Sequence, residues 1–220
     1  MPQPRQPTRR TRREPLSRER VLTAASELVE REGVAGLSMR KLAAMLGVEA
    51  MSLYNHVDGK DDVLAGVSAR FLAQIELPEP SDDWRGDLRG LSAALRDAAR
   101  RHPQAAALAM SNEAISREGL AVTAAALDAL RRAGLSVQQA VDAQRAMTAL
   151  LVGTLLRELQ AGPDAMSSAD DRESELQASE LAPIREAAPQ LAQLDFDREY
   201  EFAVEFALDA LDALDARRRG

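Results

Sequence analysis

The stretch from Ser38 to Val57, SMRKLAAMLGVEAMSLYNHV, constrains the fold more than any other part of the chain. Ser38 is a helix-capping residue, because its hydroxyl can accept a hydrogen bond from an unsatisfied amide of the first turn. Leu42, Ala43, Met45 and Leu46 recur at helical spacing, and Gly47, with no Cβ, permits the left-handed turn that ends a helix. After Gly47-Val48-Glu49, a further helix is expected from about Ala50 to Val57, stopped by Asp58-Gly59. Upstream, Ser17 caps a helix with Val21, Ala24, Ala25, Leu28 and Val29 on one face, ending at Gly33. Downstream, Asp61 and Asp62 suit the first turn of a fourth helix, which Val63, Leu64, Val67, Phe71, Leu72 and Ile75 make amphipathic. That helix is the expected mechanical link to the rest of the chain.

The composition extends the helical reading to all 220 residues: 45% are apolar, only 3% aromatic, and alanine and leucine dominate, so an all-α fold is expected. Cysteine is absent, which removes disulfides, thiolate zinc sites and thiol chemistry and permits a reducing compartment. The longest apolar run, MTALLVGTLL from Met147 to Leu156, falls far short of the roughly 18 residues of a membrane span. No apolar stretch follows the arginines of RRTRREP, so an export signal is rejected and a cytoplasmic protein without membrane contact is expected.

Charge divides the chain. Residues 1–60 carry 11 basic against 7 acidic side chains, a net +4, whereas the remainder carries −11 of the overall −7. A basic piece on an acidic remainder suggests that the first meets a polyanion. Residues 1–15, with prolines at 2, 4, 7 and 15, are expected as a disordered basic arm, residues 16–62 as a helix-turn-helix domain, and 63–220 as a larger helical domain. Beyond Trp84, five or six helices are expected, at about 83–101, after Pro103, and at about 113–133, 136–161, 178–188 and 195–218. Ser136 and Gln139 form a capping-box pattern, and GPDAMSSADDRESELQASE reads as a loop.

A short helix, a glycine turn and a second short helix is the layout that places its second helix in the DNA major groove. If Val48 and Leu53 point inward, Ala50, Met51, Ser52, Tyr54, Asn55 and His56 lie at the exposed start and outer face. Arg40 can offer two parallel donors to guanine or pair with a phosphate. Tyr54, His56 and Lys60 can each donate to phosphate oxygens, which positions the duplex and reads no sequence. Each is equally at home as an ordinary surface side chain.

The text ERVLTAASELVEREGVAGLSMRKLAAMLGVEAMSLYNHVDGKDDVL resembles the DNA-binding region of the tetracycline-repressor (TetR) family. The likeness lies in the spacing of the first helix, the Gly-x-x-Gly before the second, the RKLA run, the LGV turn, LYxH and the lysine after it. DWRGDLRGLSAALRDAARRHP and FDREYEFAVEFALDALDAL are similar to the C-terminal domain of the tetracycline-repressor subgroup. The resemblance implies that Arg40 and Ser52 approach base edges, that Tyr54, His56 and Lys60 hold phosphates, and that Ala50 and Met51 occupy variable base-reading positions. Both are small or apolar, which suits contact with a thymine methyl.

The resemblance also implies a homodimer joined by the two long C-terminal helices. Their stripes, Ala140, Met147, Leu151 and Leu155 on one and Phe202, Phe206, Leu208, Leu211 and Leu214 on the other, serve equally as internal core, a choice periodicity leaves open. Gly153 and Ala210 permit close approach. A pocket for a small-molecule effector is expected near Met110, Asn112, Gln144, Met147 and Thr148. The acidic domain contains only His102, so the histidines of a magnesium-tetracycline site have no counterpart, and no metal or cofactor is expected. No nucleophile elbow, Walker loop or HExxH is present, and an enzyme is not expected. The expected function is a ligand-responsive dimeric repressor released from a near-palindromic operator by a small hydrophobic effector. The alternative is a DNA-binding regulator that activates or acts without a ligand.

Overall fold

The computed structural model describes residues 15–111, 116–161 and 169–219, with side chains through residue 213. Among these residues every regular element is a helix, and the chain divides into two compact units, 1–64 and 65–220. The first fourteen residues of the expected basic arm, together with Asn112 and the start of the expected loop after Gly162, lie outside the described residues.

The first unit holds α1 (Arg18–Gly36), α2 (Met39–Leu46), α3 (Ala50–Leu53) and the start of α4 (Lys60–Leu72). Ser17 and Ser38 cap as expected: their hydroxyls accept from the amides of Arg20 and Lys41, each at 3.2 Å. Gly33 has non-helical backbone angles within α1, so the regular helix breaks there and only a further turn reaches Gly36. Val21, Ala25, Leu28 and Val29 from α1 bury with Leu37, Leu42, Leu53, Val57 and Val63 to make one small core.

The second unit contains α5 (Trp84–Arg101), α6 (Pro103–Ser111), α7 (Arg117–Arg132), α8 (Val137–Gln160), α9 (Ala169–Gln177), α10 (Ala182–Ala192) and α11 (Phe196–Arg219). The Ser136–Gln139 capping box forms in both directions, at 3.3 Å and 2.9 Å. Two expectations need correction. The polar stretch before Ser179 contains α9, which buries none of its side chains and is therefore invisible to apolar periodicity. It is tied instead to α10, because the Arg172 guanidinium donates to the Ala192 carbonyl at 3.0 and 2.8 Å. The weak helix expected at 178–188 lies at α10.

The second correction concerns the α8 stripe. Ala140, Met147, Leu151 and Leu155 are all buried within this one chain, so they are internal core and do not form a self-interface. Leu208 and Leu211 of α11 are likewise buried, and Leu214 lies beyond the described side chains. An ionic cluster closes this core. Arg96 of α5 meets Glu158 of α8 at 3.0 Å and donates to the Phe196 carbonyl at 2.7 Å, while Arg100 reaches the other Glu158 oxygen at 2.6 Å. Arg96 also stacks over the Tyr200 ring at 4.6 Å, and the Tyr200 hydroxyl donates to the Ser92 carbonyl at 2.8 Å. Burial pushes the Tyr200 phenol well above its ordinary range, which keeps it a donor.

Candidate nucleic-acid interface and effector cavity

The turn between α2 and α3 is built by Gly47, at φ 68° and ψ 39°. Its amide donates to the Ala44 carbonyl at 3.2 Å and the Val48 amide to Ala43 at 3.0 Å, which satisfies the exposed carbonyls of the ending helix. Glu49 is extended and α3 starts at once, with no side-chain cap. Leu53 is fully buried and Val57 nearly so, and these two pin the helix to the core. Val48 is only half-buried, so Leu53 carries more of that anchoring than expected.

The regular part of α3 is shorter than expected, ending at Leu53 and not near Val57. Tyr54 keeps helical angles, and the amides of His56 and Val57 both donate to the Leu53 carbonyl, at 2.9 and 3.0 Å. The chain therefore tightens into a closing turn so that Val57 enters the core and Gly59, at φ 130°, reverses direction into α4.

Each proposed DNA-facing residue keeps access to solvent. Arg40, Met51, Tyr54, Asn55 and Lys60 are exposed, and Ala50, Ser52 and His56 are half-buried. Met51 is 77% exposed, which a core methionine would not be, so the described residues leave most of its apolar side chain uncovered. Lys41, beside Arg40, is engaged elsewhere: its ammonium lies 2.8 Å from Glu32, which also takes Arg31 at 2.9 Å. Those two cations, Lys41 foremost, lower the Glu32 carboxyl from its ordinary range.

Arg18 was missed by inspection of the sequence. Its guanidinium makes a two-pronged contact with Asp62, 2.6 Å on each prong, and one prong also donates to the His56 carbonyl at 3.3 Å. The hydrogen bond from Arg18 holds the Asp62 carboxyl at about 2, against an ordinary 3.8. Its signal is faint because the partner lies 44 positions away.

In the second unit, α5, α7 and α8 line a partly open cavity of about 70 Å³. Leu88, Leu91, Val122, Leu130, Met147 and Leu151 give it apolar walls, and no charged side chain is found among its described lining residues. Its polar lining comes from all three helices: the Gln144 amide donates to the Thr148 hydroxyl at 3.0 Å on α8, while Ser92 of α5 and Thr123 of α7 donate to carbonyls of their own helices. Gln144, Met147 and Thr148 thus line one cavity. Met110 is half-buried on α6 and does not line this cavity, because its helix is outside the wall that α5, α7 and α8 form.

A separate apolar surface lies on α8 and α11. Phe202 and Phe206 stack with ring centres 6.0 Å apart and are 69% and 60% exposed. Leu150 and Thr154 flank them around an open depression of about 550 Å³.

The model of the tetR family of bacterial regulatory proteins matches residues 21–67, and that of the tetracyclin repressor-like C-terminal domain matches 77–214. The second match alone spans more than half of the sequence. The chain belongs to the TetR family. It is a DNA-binding, helix-turn-helix transcription regulator. An HTH-type transcriptional regulator of Saccharopolyspora erythraea is 36% identical over 154 residues, 69% of this chain and 65% of that relative. This chain therefore covers just under two thirds of that protein. The HTH-type transcriptional repressor DrrR1 of Streptomyces coeruleorubidus is 30% identical over 218 residues, 93% of this chain and 80% of the relative. Among solved structures, the TetR-family protein ActR of Streptomyces coelicolor in complex with actinorhodin superposes with a TM-score of 0.82. It is 25% identical and the match covers 91% of this chain and 98% of ActR.

Proposed function

We propose that this TetR-family regulator is a homodimeric cytoplasmic repressor that leaves a near-palindromic operator when a small, uncharged and largely apolar effector enters the α5–α7–α8 cavity. The observation that carries this reading is the presence, in separate units, of an exposed α2–α3 face and a partly open, mainly apolar cavity with a few uncharged polar groups. In this reading Arg40 and Ser52 approach base edges, Ala50 and Met51 touch thymine methyls, Tyr54, His56 and Lys60 hold phosphates, and Asn55 lies on the same DNA-facing side. The repressor name of DrrR1 and the complex of ActR with actinorhodin support both halves of the reading.

A cavity of about 70 Å³ is smaller than the roughly 300–1,000 Å³ of ordinary ligand sites. An effector of ordinary size must therefore part the helices that line it, and this displacement, carried along α4, gives the differential affinity that switching requires. A change from 1:99 to 99:1 between DNA-competent and released states needs about 5.5 kcal/mol of such preference. A thermal-shift screen of neutral aromatic and aliphatic compounds, paired with operator release, tests the proposal. A compound that raises the unfolding temperature and releases DNA supports it. If stabilising compounds leave operator affinity unchanged, the effector half is wrong.

A further inference from the structure

The turn from His56 to Lys60, which the proposed function places on the DNA backbone, has little packing of its own. Val57 is its buried anchor, while Asp58 and Lys60 are exposed and a Cβ on Gly59 would meet nothing within 4 Å. Beyond the backbone bonds of His56 and Val57 to the Leu53 carbonyl, the turn is tied down by the Asp62 carboxylate. It accepts both prongs of Arg18 at 2.6 Å, and its Oδ2 also accepts the Asp58 backbone amide at 3.0 Å. Arg18 in turn donates to the His56 carbonyl at 3.3 Å. One ion pair thus joins three places: the first residue of α1, the backbone on either side of Val57, and the first turn of α4.

We infer that Arg18 and Asp62 are a positioning pair for DNA binding, which holds the His56–Lys60 turn in the shape that presents His56 and Lys60 to phosphates. The inference rests on the DNA-binding reading. The Asp62 side chain is 24% exposed and that of Arg18 49%, so the carboxylate is the more sheltered partner. Its geometry matters more than its charge, because a guanidinium fork fixes two atoms where an ammonium fixes one.

A rival role for Arg18 is direct contact with a phosphate, and the two roles predict opposite signs for one substitution. If Arg18 were a phosphate ligand, Asp62→Asn would remove a competing carboxylate and tighten binding. If the pair positions the turn, the same change frees the backbone around Val57 and weakens binding. The test uses the full chain and a duplex that it selects from random DNA, read by fluorescence anisotropy across salt concentrations and by thermal unfolding. Asp62→Asn and Arg18→Gln are each expected to weaken binding about tenfold, the scale of one charge-assisted hydrogen bond. The double variant is expected to be no weaker than either single one. Arg18→Lys, which keeps the charge and loses the fork, should also bind more weakly with an unchanged unfolding midpoint, and serves if the other variants fold poorly. Tighter or unchanged binding by Asp62→Asn, or wild-type affinity with Arg18→Lys, overturns the inference. A wild-type chain that selects no DNA sinks the DNA reading itself, a failure distinguishable from one confined to the pair.

Discussion

Lys60 and Arg40 are both exposed cations, yet the proposed function gives them different kinds of contact. Lys60 is a point charge at the start of α4, so Lys60→Ala should weaken binding to every sequence alike and lower the salt slope by about one. Arg40 is a fork on α2, and Arg40→Ala should relax preference at one base pair; competition with single-position operator variants checks this. Asp62 makes a pH prediction. Its carboxyl sits at about 2 in the folded chain against an ordinary 3.8, so it adds stability above pH 3.8 that is lost as the pH falls towards 2. The unfolding-temperature gap between wild type and Asp62→Asn should stay constant from neutral pH to about 5 and close below 4, with about 1 kcal/mol involved after allowance for solvent screening. The solvent-accessible group from Ala50 to His56 was legible in the sequence because its members follow one another along a short helix and turn. Arg18 was not, since nothing local in SRER announces a partner in the first turn of α4.

Helix starts were the most readable elements, because a serine hydroxyl and the amide it accepts lie three positions apart at Ser17, Ser38 and Ser136. Helix ends and polar helices were less so. The closing turn after Leu53 depends on Val57 reaching a core assembled from α1 and α4, and α9 depends on α10, so neither is decided by nearby residues. Glycines separate these influences. At Gly59 a Cβ would find open space, but φ is 130°, so Gly59→Ala should cost about 1–3 kcal/mol of stability through backbone strain alone. Gly153 lies within α8 with no described atom within 4 Å of a Cβ, so Gly153→Ala should raise the stability of a lone chain by up to about 1 kcal/mol. If Gly153 meets a second copy, the same change should weaken self-association, which concentration-dependent unfolding detects. A Gly153→Ala variant with stronger association would count against close helix approach there.

The charge asymmetry of the whole molecule, basic before residue 61 and acidic after it, was visible from the start and agrees with a DNA-binding unit followed by a different one. What periodicity did not decide was which apolar stripe faces inward. Four α8 residues considered for a self-interface are core, while Phe202 and Phe206 are left exposed. We therefore expect the dimer to form through the Phe202–Phe206 face. Phe202→Ser with Phe206→Ser should yield a monomer by sedimentation and lose preference for paired half-sites over single ones. A double variant that stays dimeric assigns the interface elsewhere. The measurement that tests the account most directly is binding of the purified full chain to DNA upstream of its own gene, with salt varied and a scrambled duplex as control. The predicted result is selective binding to a near-palindrome with half-site centres about one helical turn apart and a steep fall with salt. Binding that is indifferent to sequence and insensitive to salt would contradict it.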